Sequence, residues 1–285
     1  MFEETHKILF QAEEIATRGS VIEVLKQLRK LSLGDFGRWM WSLPDVHFPA
    51  ISALLPAMAS DEAQLGWTGK CGPELRDHTI DFVRIVAQNY QRITGRSLEH
   101  KRILDFGFGY GRMARMMYYF TDPDSYFGVD PMQQSLDICA ADRVLGQLKK
   151  INYITPDFEL DGRRFDLIFA YSVFTHTSEK VTHTSLRALR RHIKNNGVLV
   201  ITIRPVEHWN VDQPHDEAQR DAFKHAHHTN GFAFRDHGYA EDGEAIYGEN
   251  SFTLEWLAAH HPEWEVEGWD RGVDQYQTIV FLTPK

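Results

Sequence analysis

The chain has 285 residues, 42% hydrophobic and 25% charged, with a formal net charge of −9 at pH 7. This is the balance of a globular protein with one large domain or a core and a smaller attachment. The negative charge speaks against a general nucleic-acid or anionic-membrane surface, since both want a basic footprint. Two cysteines, Cys71 and Cys139, are too few for a disulfide framework and fit a reducing compartment. The opening MFEETHKILF is acidic where a signal peptide is basic, and no apolar run approaches the length of a membrane span. The expectation is a cytoplasmic protein with no integral membrane segment and no nucleic-acid partner.

No repeat or low-complexity segment interrupts the chain. Residues 20–31, SVIEVLKQLRKL, place Val21, Leu25, Leu28 and Leu31 at helical spacing behind a Ser20 cap. Residues 32–73 are rich in Gly, Pro and aromatics, which predicts short helices joined by turns. Residues 74–94 read as a long amphipathic helix ending at Gly95. Strands and helices then alternate. Strands are expected at 102–107, 126–130, 151–155, 165–172 and 197–205, and helices at about 111–120, 132–147 and 180–194, the last closed by Asn195-Asn196-Gly197. Nearly continuous apolar strands in such an alternation mean a parallel sheet covered on both faces. Residues 206–250 are polar and histidine-rich. A helix follows at 252–260, and then WEVEGWD and QYQTIVFLT, joined by RGV, predict an antiparallel pair.

The most informative stretch is LDFGFGYGR, residues 104–112. A dinucleotide-binding turn wants Gly-x-Gly-x-x-Gly, with the third glycine packing helix against strand. Counted from Gly107, that third position is Arg112, a long cation. The chain has Gly107, Gly109 and Gly111 instead, with Asp105 at the strand end. A carboxylate there would repel a pyrophosphate but can pair with a cation. The second strand ends in Asp130, placed to take both hydroxyls of a ribose. The ligand therefore has a ribose and a cationic part and lacks a pyrophosphate; S-adenosylmethionine meets these conditions. The plainer alternatives are a tight strand-to-helix turn with no ligand, and Asp130 as a strand-end cap.

The glycine run, Asp130, FDLIFAYSVFTH and LRRHIKNNGVLVITI together resemble class I S-adenosylmethionine-dependent methyltransferases, strongly over residues 100–205. The resemblance implies an α/β, Rossmann-like fold with a seven-stranded sheet in the order 3-2-1-4-5-7-6, strand seven antiparallel. It divides the chain into an N-terminal helical cap region (1–98), an S-adenosylmethionine-binding core (99–205), a substrate lid insert after strand five (206–250), and a closing helix and hairpin (251–285). It implies that Asp105, Gly107 and Gly109 lie against the methionine part, that Gly111 belongs to the same cofactor-binding loop, that Asp130 holds the ribose, and that Pro131 and Met132 lie against the adenine. Asp157, in ITPDFELDG, is a candidate reader of the adenine amine. Tyr171 reads as a wall of the cofactor site, and Trp67 as a residue packing on the methionine chain, the substrate or simply the core.

Methyl transfer needs alignment of a nucleophile with an activated methyl, and an alcohol nucleophile also needs a base. Sheet enzymes of this kind act beyond the carboxyl ends of the strands. His176, after strand four, is the first candidate base; its plainer role is to order the loop or cap the next helix. After strand five come Arg204, Glu207 and His208, of which Glu207 and His208 are further catalytic candidates, and the insert adds His215, His225, His227, His228 and His237 with Asp212, Asp216 and Glu217. Histidine clusters suit zinc and magnesium prefers oxygen, but no tight metal motif appears, so no metal is expected. The insert reads as a polar lid over a polar substrate or as a solvated insertion. FPAISALLPAMASDEAQLGWTG, SVFTH and YGENSFTLEWL are similar to methyltransferases of bacterial surface-glycan pathways. That resemblance implies an O-methyltransferase for a sugar or glycan acceptor. Other readings are a methyltransferase for a natural product or amino acid, and an S-adenosylmethionine-binding protein without catalysis. Homo-oligomerisation stays open.

Overall fold

In the computed structural model, which describes residues 2–212 and 216–285, the strongly apolar segments of the sequence form strands. The chain divides into two compact units, residues 1–150 and 151–285.

The first unit begins with α1 (Phe2–Ala16), α2 (Val21–Leu28), α3 (Leu33–Trp41), α4 (Pro49–Leu54) and α5 (Asp61–Thr68). Ser20, Ser32 and Ser60 cap α2, α3 and α5 by accepting the backbone N–H three residues on. Helix α1 was not anticipated, because its charged residues mask the buried row Leu9, Ala12 and Ala16. The long α6 (Gly72–Thr94) stops at Gly95, whose left-handed backbone (φ 67°) lets its N–H close back on Gln91. Then follow β1 (Ile103–Phe106), α7 (Arg112–Met117), β2 (Tyr126–Asp130), α8 (Gln133–Ala141) and β3 (Gln147–Lys150). Strands β1, β2 and β3 pair in parallel. β1 and β2 are buried throughout, while β3 is not. The third strand is therefore QLKK and not INYIT: an edge strand needs no apolar run, so periodicity passed over it.

The second unit contains β4 (Phe165–Ala170), α9 (Glu179–His192), β5 (Ile193–Ile203), a short 3-10 turn (Val206–Asn210), α10 (Glu217–Asn230), β6 (Phe232–Glu241), β7 (Glu244–Phe252), α11 (Leu254–His260), β8 (Trp264–Asp274) and β9 (Gln277–Pro284). β4 and β5 are parallel, and β9 is antiparallel to β5 and β8. Asn195-Asn196-Gly197 does not close a helix. It lies inside β5, with the two asparagines facing out of the burial. The RGV link is strand, and the hairpin turns between Asp274 and Gln277. The polar insert is more ordered than its composition suggests: β6 and β7 form a separate antiparallel sheet.

The seven-stranded sheet runs β3-β2-β1-β4-β5-β9-β8. This is the expected order, with β8 and β9 taking the places of strands six and seven because the insert contributes two strands of its own. Among the described residues no helix is long and apolar enough to cross a membrane.

Candidate functional site

In the first unit the turn after β1 is held by backbone geometry. Gly107, Gly109 and Gly111 have φ of 82°, 54° and 75°. This region is costly for residues with a side chain. At Gly109 there is a second reason for glycine: a Cβ would lie 3.1 Å from Cδ1 of Trp67. Trp67 on α5 thus covers the glycine loop, edge-on to Tyr110 with ring centroids 6.4 Å apart. Gly111 caps the start of α7. Arg112, in the position that would pack a dinucleotide turn, is buried and donates to Thr79 Oγ1 on α6 at 2.9 Å.

Asp130 ties this turn to the one after β2. Its Oδ2 accepts the Gly109 N–H at 2.9 Å and its Oδ1 accepts the Met132 N–H at 2.8 Å. Each oxygen keeps a lone pair for a ligand hydroxyl. Pro131 lies between these anchors, and Met132 is 40% exposed. Asp105 is fully buried, and Tyr126 donates to its Oδ2 at 2.6 Å. Burial raises its carboxyl to about 7, with the Tyr126 bond opposing and the Asp130 charge adding to the rise. A cationic group delivered here would find an acid that ionises readily to meet it. The residues fit a ligand with a diol and an ammonium group.

In the second unit a polar cluster forms around β7. The loop after β4 adds to β7 like an extra strand: Gly248 N–H donates to His176 O at 2.8 Å and Asn250 N–H to Thr175 O at 3.0 Å. His176 Nδ1 lies 2.9 Å from Gly248 O, and its Nε2 is 3.3 Å from Nη2 of Arg204. A carbonyl can only accept and a guanidinium can only donate. His176 therefore carries its proton on Nδ1, and its Nε2 lone pair faces Arg204. Arg204 also donates to Thr175 O at 2.9 Å and forms an ion pair with Glu249 Oε2. Glu249 lies within 3.4 Å of both His176 Nδ1 and His208 Nε2, and 3.9 Å from His237 Nε2. Arg235 grips Asp212 through two bonds of 2.9 and 2.8 Å. Burial, helped by the Arg204 charge, pushes both His176 and His208 down to about 3, so both imidazoles are neutral at neutral pH.

Rings border the cluster. Tyr247 stacks on His176 with centroids 5.2 Å apart and planes 8° from parallel. Tyr239 and His237 meet Tyr247 edge-on at 5.7 and 5.8 Å. Among the described residues no group of three or more His, Cys, Asp or Glu side chains is placed to hold a metal ion. The Arg204 guanidinium lies in contact with the Glu249 carboxylate that the histidines face.

The sequence candidates thus separate. Asp105, the three glycines, Asp130, Pro131, Met132 and Trp67 come together in the first unit. His176 and His208 come together in the second. Glu207 does not join them: its side chain is 56% exposed and lies 4.0 Å from Arg271. Asp157 Oδ1 is 2.8 Å from His192 Nε2, which holds its carboxyl below the usual range. Tyr171 directly follows β4 and is partly buried. His215 lies outside the described residues. Arg235, Tyr247, Glu249 and Asn250 were missed. Strand alternation puts Tyr247 and Glu249 on one face of β7, and that spacing was the available signal.

A methyltransferase-domain family matches residues 77–260. No curated protein matches the chain in sequence. Among solved structures, an S-adenosylmethionine-dependent methyltransferase from Clostridium acetobutylicum ATCC 824 has a TM-score of 0.51 at 13% identity, over 73% of this chain and 91% of that one. DesVI of Streptomyces venezuelae has a TM-score of 0.48 at 15% identity, over 73% and 92%. The glycopeptide N-methyltransferase MtfA, complexed with sinefungin, has a TM-score of 0.48 at 10% identity, over 70% and 93%. The family match covers more than half of the chain and the first of these structures shares its fold: the chain belongs to the methyltransferase-domain family, in the Rossmann-like fold of S-adenosylmethionine-dependent methyltransferases.

Proposed function

We propose that the chain is an O-methyltransferase that uses S-adenosylmethionine to methylate a hydroxyl of a sugar or surface glycan. The observation that carries the acceptor class is the charge-balanced cluster of the second unit. Arg204 is paired with Glu249, Arg235 with Asp212, and the buried imidazoles are neutral. Such an interior offers donors and acceptors without net charge, which suits a neutral polyol. The rings of Tyr239, Tyr247 and His237 offer faces for sugar C–H groups. Tyr239 is the most exposed of them, and tyrosine rings are a recurrent binding device.

When bound, S-adenosylmethionine supplies a methyl group activated by its sulfonium. In this reading Asp130 holds the ribose hydroxyls, Asp105 meets the ammonium of the methionine part, and Trp67 covers the glycine loop. Pro131 and Met132 lie against the adenine, with Asp157 and Tyr171 as further cofactor contacts. The cluster built around His176 and His208 serves the acceptor. Residues 206–250 form the acceptor's cover, built as a helix and a hairpin. Location in the cytoplasm belongs to the same proposal and rests on the sequence alone.

The test is mass spectrometry of nucleotide sugars and cell-surface oligosaccharides after incubation with the chain and S-adenosylmethionine. The expected result is the mass gain of one methyl substitution on a hydroxyl, with S-adenosylhomocysteine formed in equal amount. Methylation of an amino acid or natural product, with every sugar untouched, overturns the sugar reading. Tight binding of S-adenosylmethionine with no turnover on any acceptor overturns the enzyme reading in favour of a binding protein.

A further inference from the structure

We propose that Glu249 takes the acceptor's proton, through its Oε1 atom, and that His176 holds the loop rather than acting as the base. The proposal rests on the reading of the chain as a methyltransferase for a hydroxyl.

The case starts with His176, which has no open nitrogen. Its Nδ1 is used on Gly248 O at 2.9 Å and its Nε2 lone pair on Arg204 at 3.3 Å. The ring is further fixed by its stacking on Tyr247. His208 turns a fully buried Nε2 toward Glu249 Oε2, so that nitrogen is closed to a substrate. Of the cluster's two carboxylates, Asp212 gives both oxygens to Arg235. Glu249 is different. Its Oε2 is buried and consumed by the ion pair with Arg204. Its Oε1 accepts no hydrogen bond, the nearest partner atoms being His176 Nδ1 at 3.4 Å and His237 Nε2 at 3.9 Å. The side chain keeps 12% of its surface. With Oε2 buried, a substrate meets the carboxylate at Oε1.

The chemistry balances without a further reactant. As the acceptor oxygen bonds to the methyl carbon, its proton passes to Glu249 Oε1. The carbon–sulfur bond breaks and its electron pair stays on sulfur, which becomes a neutral thioether. The Glu249 acid then returns its proton to water. Arg204, paired with Oε2, keeps the carboxylate aimed between cycles.

The experiment uses the full chain and the Glu249→Gln, Glu249→Asp and His176→Gln variants. The acceptor is whichever member of two panels, sugars and phenolic or amino compounds, the unaltered chain methylates. Glu249→Gln is expected to lower kcat by about 100-fold or more, the usual size of general-base help. S-adenosylmethionine Kd should stay within about twofold. Glu249→Asp should recover part of the loss, and His176→Gln should cost less than about tenfold. A readout independent of turnover is the imidazole nitrogen spectrum of His176. It is expected to show the Nδ1–H form in the unaltered chain and in Glu249→Asp. A Glu249→Gln variant that keeps more than a third of kcat overturns the proposal. So does a His176 ring found in the Nε2–H form, or an equal loss in Glu249→Asp together with loss of cofactor binding. If only a phenolic or amino compound is methylated, the sugar reading fails and Glu249 is judged on that compound. If nothing is methylated, both fall.

Discussion

The glycine loop of the first unit comes from one short stretch of backbone, Gly107 to Gly111, fastened by one carboxylate, Asp130, through two backbone N–H groups. The polar cluster of the second unit gathers side chains from positions 176, 204, 208, 212, 235, 237 and 249, and fastens them to each other. One is built from main-chain geometry, the other from side-chain chemistry. A main-chain device tolerates change in the surrounding side chains but no change in its glycines. A side-chain device can be retuned one residue at a time. This is the division expected of an enzyme with a fixed donor and an acceptor that differs from relative to relative.

The sharpest break in that contrast lies at Gly248, where the second unit also depends on bare backbone. A Cβ there would lie 1.9 Å from the Arg235 carbonyl oxygen. Neither atom belongs to a flexible side-chain end, so the hairpin must open. Gly248→Ala should destabilise the chain by about 3 kcal/mol or more, at or above the upper end for overpacking. It should also release His176, whose Nδ1 bonds the Gly248 carbonyl. Chemical denaturation measures this; a change below about 1 kcal/mol would mean the strands can separate without cost.

Next in size is Asp130→Asn. It keeps the shape of the side chain but removes the charge and one acceptor. S-adenosylmethionine binding should weaken by about 1.5–3 kcal/mol, the range for hydrogen bonds to charged groups. Calorimetry with the donor alone reads it. Unchanged affinity would remove Asp130 from the site, while a matching fall in thermal stability would leave it as a strap between two turns.

The most selective test is acid, to which the two units should respond with opposite sign. The unfolded Asp105 carboxyl titrates near 3.8 and the folded one near 7, so between those values the folded state holds the extra proton. Lowering pH from 7 to about 4 therefore stabilises the first unit. For His176 and His208 the unfolded value is 6.5 and the folded value about 3, so in that window the unfolded state holds the extra proton. Their contribution is complete above about 6.5 and is lost as pH falls toward 3, at roughly 1.4 kcal/mol per pH unit for each ring at most. His183 and His261, bonded to each other at 2.8 Å, are both lowered by burial and add to the same trend. Amide exchange at pH 7 and pH 5 should show more protection in β1 and β2 and less in β7 and α11. Parallel changes in both units would contradict these signs.

How much could be read beforehand follows from the same contrast. The loop after β1 was legible because its residues are adjacent and glycine has few uses at alternate positions. β4 and the second part of β5, residues 197–203, were legible because full burial leaves an apolar run. β3 was misplaced because nothing apolar marks an edge strand. The cluster was half legible. His176 and His208 stood out as residue types after strand ends, but Glu249 looked like one of many surface acids. Only the pairing of Gly248 and Asn250 with the loop after β4 turns that glutamate toward Arg204. Glu207, nearer to Arg204 in sequence, is carried away by the short 3-10 turn. Chain proximity pointed to Glu207 while Glu249 is the carboxylate that meets Arg204, because side-chain direction after a strand end is set by what packs on it.

The exposed strand β3 has a bearing on solubility and handling. A long sheet of buried apolar strands must stop somewhere, and unpaired backbone at that margin invites another chain to add on. Here the margin is Gln147–Lys150, ending in Lys149 and Lys150, and two neighbouring copies would bring like charges together there. Exchange of both lysines for valine would turn a self-limiting border into a sticky one, visible as concentration-dependent light scattering well below the unfolding temperature.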